Sequence, residues 1–242
     1  ISGQGAFADA QTLQEQGTAE SSRAAIKKYE AALPYFRRLG DKDREATTLG
    51  NIGKVYSDLL ENQKALDYYG QALQLAQITG NKSFEAATLS NVGRVYDDLG
   101  DGQKALDYYN QALPLRRAVG DKDGEAVTLN NLGATYSSLG DKQKALDYYG
   151  RALPLLRASG DKRVEAITLN NIGNVEADLG NARQALDHYV QALAAHRMIG
   201  DKGGQAITLN NIGRLYDELG DEQKALDNYL EALPLLKTVG NR

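Results

Sequence analysis

Residues 41–80 read DKDREATTLG NIGKVYSDLL ENQKALDYYG QALQLAQITG, and the blocks 81–120, 121–160, 161–200 and 201–240 repeat that pattern. Fourteen of the forty columns are identical in all five copies. Self-similarity at a fixed period of this size marks a stack of supersecondary units. Each copy holds two helical stretches of about 18 residues. In the first, Ala46, Leu49, Ile52, Gly53, Tyr56 and Leu59 share one face when residues are stepped by about 100°. In the second, Ala65, Leu66, Tyr69, Ala72 and Leu73 make the matching face. Glycine followed by Asp or Asn, as in Gly40-Asp41, Gly100-Asp101 and Gly140-Asp141, closes one helix and caps the next. Turns this short force antiparallel neighbours, and one pair cannot cover its apolar faces alone, so pairs must stack. The fold class predicted is all-α, a right-handed α-solenoid of six antiparallel helix pairs, with residues 1–242 as a single solenoid.

The first pair, 1–40, is irregular. Ala25, Ile26, Tyr29, Ala32 and Leu33 match the second helix of later copies. The stretch Ala8–Gln16 supplies a shortened first helix before Gly17-Thr18, and this pair is expected to cap the array. Ile1–Gly5 is expected to be disordered or a remnant outside the fold. With no initiating Met, and with Asn241-Arg242 standing where a seventh copy would open, the chain reads as a piece of a longer one. A glycine inside a helix costs about 1 kcal/mol relative to alanine, yet Gly53, Gly93, Gly133, Gly173 and Gly213 recur in mid-helix, which predicts close backbone approach. Pro34, Pro114, Pro154 and Pro234 sit inside second helices. Their column lies opposite Ala65, where water can satisfy the freed carbonyl, so kinked but continuous helices are predicted.

The spacing Leu49-x2-Ile52-Gly53-x2-Tyr56, then Ala65-x3-Tyr69 and Ala72, resembles the tetratricopeptide repeat pattern, with Leu for its Trp, Tyr for its Phe and a period of 40. Those departures look like the long-repeat subclass of kinesin light chains, Pins-type adaptors and bacterial arrays that precede CHAT peptidase domains. Thr-Leu-Asn-Asn-Ile/Leu-Gly at 128–133, 168–173 and 208–213 is especially similar to kinesin light chain repeats. The resemblance implies recognition of a peptide or protein in a concave groove lined by first helices, with asparagine on the groove column.

The residues themselves point to the same surface. Away from the core face of the first helix lie the columns headed by residues 47, 51, 54 and 58. Column 51 is Asn51, Asn91, Asn131, Asn171 and Asn211. A carboxamide both donates and accepts, so a row of them suits the backbone of an extended chain. The competing reading is that these asparagines bond neighbouring helices and set their register. Specificity is expected from varying columns, with Lys54, Arg94, Asn174 and Arg214 in one and Asn130, Asn170 and Asn210 in another. The cations either receive acidic ligand groups or form i,i+4 pairs as Lys54–Asp58, Arg94–Asp98 and Arg214–Glu218. The invariant Asp67 column is expected to face solvent and pair with Lys64 and its equivalents. In the fifth copy Glu176, His188, His196 and Met198 depart from the pattern. They read as repeat drift in preference to a local pocket, and the histidines stand too far apart to share a metal ion.

Composition narrows the classes. Lys+Arg 28 against Asp+Glu 32 leaves a net charge of −4, which argues against nucleic acid as partner. There is no cysteine, hence no disulfide or thiolate zinc site, and no apolar run long enough to span a membrane. Asp97-Asp98-Leu99-Gly100-Asp101-Gly102 puts Tyr108 where a calcium loop needs Glu, and Gly50-Asn51-Ile52-Gly53-Lys54 lacks phosphate-loop spacing. No catalytic constellation recurs, so the reading is a non-enzyme without cofactor or metal, cytoplasmic, acting as an adaptor, scaffold or sensor. Its partner is a protein or peptide. The alternatives are a regulatory array of a larger enzyme such as a CHAT peptidase, and a kinesin-light-chain-like adaptor on a cytoskeletal filament. End-to-end self-association also stays open, because no polar capping helix follows Gly240.

Overall fold

The computed structural model describes residues 3–240, and Ile1, Ser2, Asn241 and Arg242 lie outside the described residues. Two compact units divide the chain, Ile1–Asp121 and Lys122–Arg242. The first unit comprises α1 (Gly3–Glu15), α2 (Ala19–Leu39), α3 (Lys42–Asp58), α4 (Asn62–Thr79), α5 (Lys82–Asp98) and α6 (Gly102–Ala118). The second comprises α7 (Lys122–Ser138), α8 (Lys142–Ser159), α9 (Lys162–Asp178), α10 (Ala182–Met198), α11 (Lys202–Glu218) and α12 (Glu222–Gly240). No strand occurs among the described residues. In each unit odd and even helices pair in sequence, and each even helix packs on the odd helix that follows.

The boundaries follow local chemistry. Gly40, Gly80, Gly160 and Gly200 take the left-handed conformation, and the Asp or Asn that follows opens the next helix. Asp41 Oδ1 accepts from the Arg44 amide at 3.1 Å, and Asp141 Oδ1 from the Lys144 amide at 3.1 Å. One corner breaks the rule. Leu60, with φ of 59°, occupies the place that glycine holds elsewhere, and Glu61 after it makes no side-chain cap.

Core formation centres on the glycines within the first helices. A β-carbon on Gly53 would stand 2.8 Å from the ring of Tyr69, and one on Gly93 2.7 Å from Tyr109. In the second unit the same holds for Gly133 against Tyr149 at 2.7 Å and Gly173 against Tyr189 at 2.5 Å. The expected close approach is therefore made by an aromatic ring and not by backbone. Ala46, Leu49, Ile52 and Val55 complete the buried face of α3, while Tyr56 and Leu59 are half-buried. The buried threonines resolve their polarity within their own helix. Thr48 donates to the Arg44 carbonyl at 2.6 Å and Thr88 to the Phe84 carbonyl at 2.8 Å, a local bond open to this side chain.

The first pair is fuller than its sequence suggests. α1 begins at Gly3, five residues before the expected Ala8, so Gly3–Gly5 is helical. Gly3 sits directly against Tyr35, where a β-carbon would have no room, and Ala6 and Ala10 are buried. Small residues let this helix close onto α2, and Thr18 with Ser21 forms a capping box between them. Pro34, Pro114, Pro154 and Pro234 are exposed, and α2, α6, α8 and α12 continue through them.

Three outcomes are expected. Gly173→Ala forces a β-carbon into a buried ring and lowers stability by about 1–3 kcal/mol, whereas Gly150→Ala, where nothing stands within 4 Å, raises it by about 0.5–1 kcal/mol. Denaturant midpoints of the two variants against wild type give both signs. Leu60→Gly removes left-handed strain and stabilises by about 1 kcal/mol, read from the same curves. Burial pushes the Tyr69 and Tyr189 phenols up to about 12 and raises Tyr109 and Tyr149 too, from an ordinary value of 10.0. The folded state thus favours the neutral phenol. Stability holds below pH 10.0 and falls as the pH rises toward 12, because the unfolded chain ionises first. Urea midpoints taken alongside tyrosinate absorbance across that window check it.

Candidate functional site

In the second unit α7, α9 and α11 lie side by side, α7 against α9 and α9 against α11. Two asparagine columns sit next to each other here, and they separate in role. Asn130 and Asn170 are buried. The Asn130 carbonyl oxygen accepts from Thr168 Oγ1 at 2.8 Å, and the Asn170 oxygen accepts from Asn211 Nδ2 at 3.1 Å. These two were expected to set ligand specificity. Instead they are spent between adjacent first helices, because their column turns one step inward toward the neighbouring helix. Asn210, in the same column, is half-buried.

Column 51 stays at the surface and is half-buried throughout. Asn51 Nδ2 donates to the Tyr29 hydroxyl at 3.4 Å, Asn171 lies beside the Tyr149 hydroxyl, and Asn211 is the donor to Asn170. Asn91 and Asn131 make no side-chain hydrogen bond among the described residues. The row is thus a mixture of pins and open carboxamides.

The remaining candidates are also distributed. Lys54 is exposed beside a polar pocket of about 280 Å³ lined by Gln11, Gln14, Glu15, Tyr29 and Asn51. Its expected pair with Asp58 does not form. Asp58 lies instead 4.0 Å from Arg94 of the next pair, which replaces the expected Arg94–Asp98 contact. Arg214 does meet Glu218, at 3.9 Å. Asn174 accepts from the Tyr189 hydroxyl at 2.8 Å. Among the described residues the first unit thus offers the loosely held Arg94 and an unpaired Lys54, and the second unit the loosely held Arg214, with no dense cationic stripe in either.

Column 47, placed on this face from the sequence, was given no role there. Val127, Ile167 and Ile207 are exposed on α7, α9 and α11, each four residues before a column-51 asparagine. Residues four apart on a helix are surface neighbours, so an apolar row runs alongside the carboxamide row. The signal was present as a drift in column 47 from Thr47 and Ala87 to β-branched apolar residues.

The other departures are structural. Lys64 does not pair with Asp67 but with Glu61 at 2.7 Å, and Lys144 with Asp141 at 2.8 Å. Each ammonium also lies over a tyrosine ring, Tyr56 at 5.1 Å and Tyr136 at 5.0 Å from the centroid. The lysines hold the helix corner, where the acid and the ring both reach them, while Asp67 takes Gln63 at 3.1 Å. Glu176 accepts from Asn181 at 2.7 Å, His196 is buried with Nδ1 2.9 Å from Asp201, and His188 is half-buried.

Among the described residues no helix is long and apolar enough to cross a membrane. No curated protein matches the chain in sequence. Several solved structures share its fold at low identity. BtubC (BKLC) from P. vanneervenii is 22% identical with a TM-score of 0.80, over 93% of this chain and 94% of that one. A Rap protein complexed with competence and sporulation factor is 15% identical with a TM-score of 0.70, over 98% of this chain and 75% of that one. A putative kinesin light chain of Podosopora anserina, with nearly identical TPR-like repeats, is 13% identical with a TM-score of 0.66, over 82% and 97%. The tetratricopeptide repeat pattern matches residues 10–78, 84–158 and 164–238, most of the sequence, and the chain belongs to the tetratricopeptide repeat family.

Proposed function

We propose that the chain is a protein-interaction module, an adaptor or scaffold that acts by binding and not by catalysis, and that the first-helix face of its second unit holds an extended peptide segment. The observation that carries this reading is the parallel pair of rows, Val127, Ile167 and Ile207 beside Asn131, Asn171 and Asn211. Carboxamides suit the amide and carbonyl groups of a stretched backbone, and the apolar row suits side chains that point to one side of it. First helices about 10 Å apart place one rung for roughly every three ligand residues at ~3.3 Å each. The buried Asn130–Thr168 bond fixes neighbouring helices in register, so the rows are set before a ligand arrives and little ordering cost falls on binding. The Rap protein noted above, crystallised with competence and sporulation factor, has a similar fold, which agrees with a binding role.

Peptides selected from a random display library on the intact chain provide the probe. Asn131→Ala is expected to weaken selected peptides about tenfold, the equivalent of one well-placed hydrogen bond, with an unchanged melting temperature. Asn130→Ala is expected to do the reverse, lowering stability by about 0.5–1.5 kcal/mol through the lost bond to Thr168 of the neighbouring helix. Selected peptides that bind Asn131→Ala and Ile167→Asp as well as wild type overturn the assignment.

A further inference from the structure

We infer that a second docking site lies on the second-helix side of the second unit, between α10 and α12, and that it receives a phenylalanine side chain of a protein partner with basic neighbouring residues. A pocket of about 300 Å³ opens there. Leu186, Val190 and Leu193 of α10 line one side, Ile212 and Tyr216 of α11 the floor, and Asn228 of α12 the other side. An aromatic ring fits, since an apolar cavity of about 150 Å³ holds benzene.

The earlier pairs show what fills such a place. Tyr68 stacks on Tyr56, Tyr108 on Tyr96 and Tyr148 on Tyr136, with centroids 5.5, 5.4 and 5.3 Å apart. Beside each first ring a lysine keeps its place, 5.1, 5.1 and 5.0 Å from the centroid. In the pair α11–α12 the first ring and the lysine remain, Lys224 lying 5.1 Å from the centroid of Tyr216. The second ring is replaced by Asn228, whose Nδ2 turns back to the Lys224 carbonyl at 2.8 Å. Tyr216 makes no ring contact among the described residues and lines the pocket. Because lysine and stacked ring coexist in three pairs, Lys224 leaves room for a ring brought by another molecule.

The pocket lies on the side of α12 that faces the preceding pair. Tyr68, in the column of Asn228, donates to Glu30 of the second helix before its own, and Glu231 at the rim accepts from Arg197 of α10 at 2.6 Å. The α12 residues of the pocket, Lys224, Asp227, Asn228 and Glu231, are distinct from the columns buried between successive pairs, such as Leu106, Tyr189 and Leu193.

The walls select the ring and its flanks. Where Tyr68 finds an acceptor in Glu30 at 3.0 Å, the same column on α10 holds Val190, which offers none. A phenol would lose its partner, so the ring without a hydroxyl is preferred. Glu231 is paired with Arg197 and Lys224 with Asp221. Asp187, beside Leu186, and Asp227 at the rim are exposed and form no ion pair among the described residues. Two uncompensated carboxylates favour basic residues on either side of the phenylalanine.

Methyl NMR spectra of the intact chain, titrated with the acetylated, amidated peptide Arg-Lys-Phe-Lys-Arg, test this. Saturable shifts are expected at Leu186, Val190 and Leu193, and not at Val127, Ile167 and Ile207, so the outcome is independent of the first-helix face. Asn228→Tyr, which returns a ring from the chain itself, is expected to raise the melting temperature and weaken the peptide about tenfold, the scale of one aromatic stack. Val190→Glu, at a side chain 55% exposed, is expected to reverse the preference in favour of the peptide with tyrosine for phenylalanine. Alanine for phenylalanine, or glutamate for the basic residues, is expected to lose binding. Unmoved pocket methyls, full affinity in a folded Asn228→Tyr, no change of preference in Val190→Glu, or N-acetylphenylalaninamide binding as tightly as the peptide overturns the proposal.

Discussion

Where the first helix of a regular pair has a glycine, the tyrosine ring of the second helix occupies the space a β-carbon would need. The glycine gives up about 1 kcal/mol of helix propensity. Burying an aromatic side chain returns about 1.5–3 kcal/mol, so the exchange favours the pair with or without its neighbours. The position of the ring then governs the surface. Its hydroxyl is carried through the pair to the edge of the first-helix face, where Tyr29 meets Asn51, Tyr109 donates to Asp97 at 2.8 Å and Tyr189 donates to Asn174. One side chain therefore shapes both the core and the floor of the candidate site.

A second cluster secures the corners. Tyr56 stacks on Tyr68 with centroids 5.5 Å apart, Tyr96 on Tyr108 at 5.4 Å and Tyr136 on Tyr148 at 5.3 Å, each with a lysine above the first ring. In the fifth copy the three members change together, to Glu176, His188 and Gln184. Asn181, which elsewhere would be a capping acid, instead donates to Glu176. What looks in sequence like scattered drift is the replacement of one ring-and-cation corner by one hydrogen-bonded corner. The ring keeps its cation without the stack at Tyr216, where Lys224 lies 5.1 Å from the centroid although Asn228 replaces the second tyrosine.

The period, the helix pairing, the caps and the core columns were legible in the sequence because each depends on residues within one turn or one pair. The division of labour between the two asparagine columns was not. Asn130 and Asn131 are the same residue type at successive positions, and only the neighbouring helix decides which carboxamide is buried. The lysine partners were misread for a related reason. Lys64 has an aspartate three residues on, but its side chain also reaches Glu61 and the Tyr56 ring, and the combined contact prevails. The start of α1 was missed because Gly3 and Gly5 lower helix propensity, a local cost overridden by close packing on Tyr35.

In an array of near-identical copies, a shared residue reports what every repeat needs, and a departure reports what one location needs. Column 47 becomes apolar only at Val127, Ile167 and Ile207, all in the second unit, so that unit presents a surface the first does not share. The change does not improve packing inside a pair, since all three positions are exposed. Exposed apolar side chains that contribute nothing to their own fold lower solubility unless something covers them, and the glycine–tyrosine pairs leave this column free to vary without loss to the core.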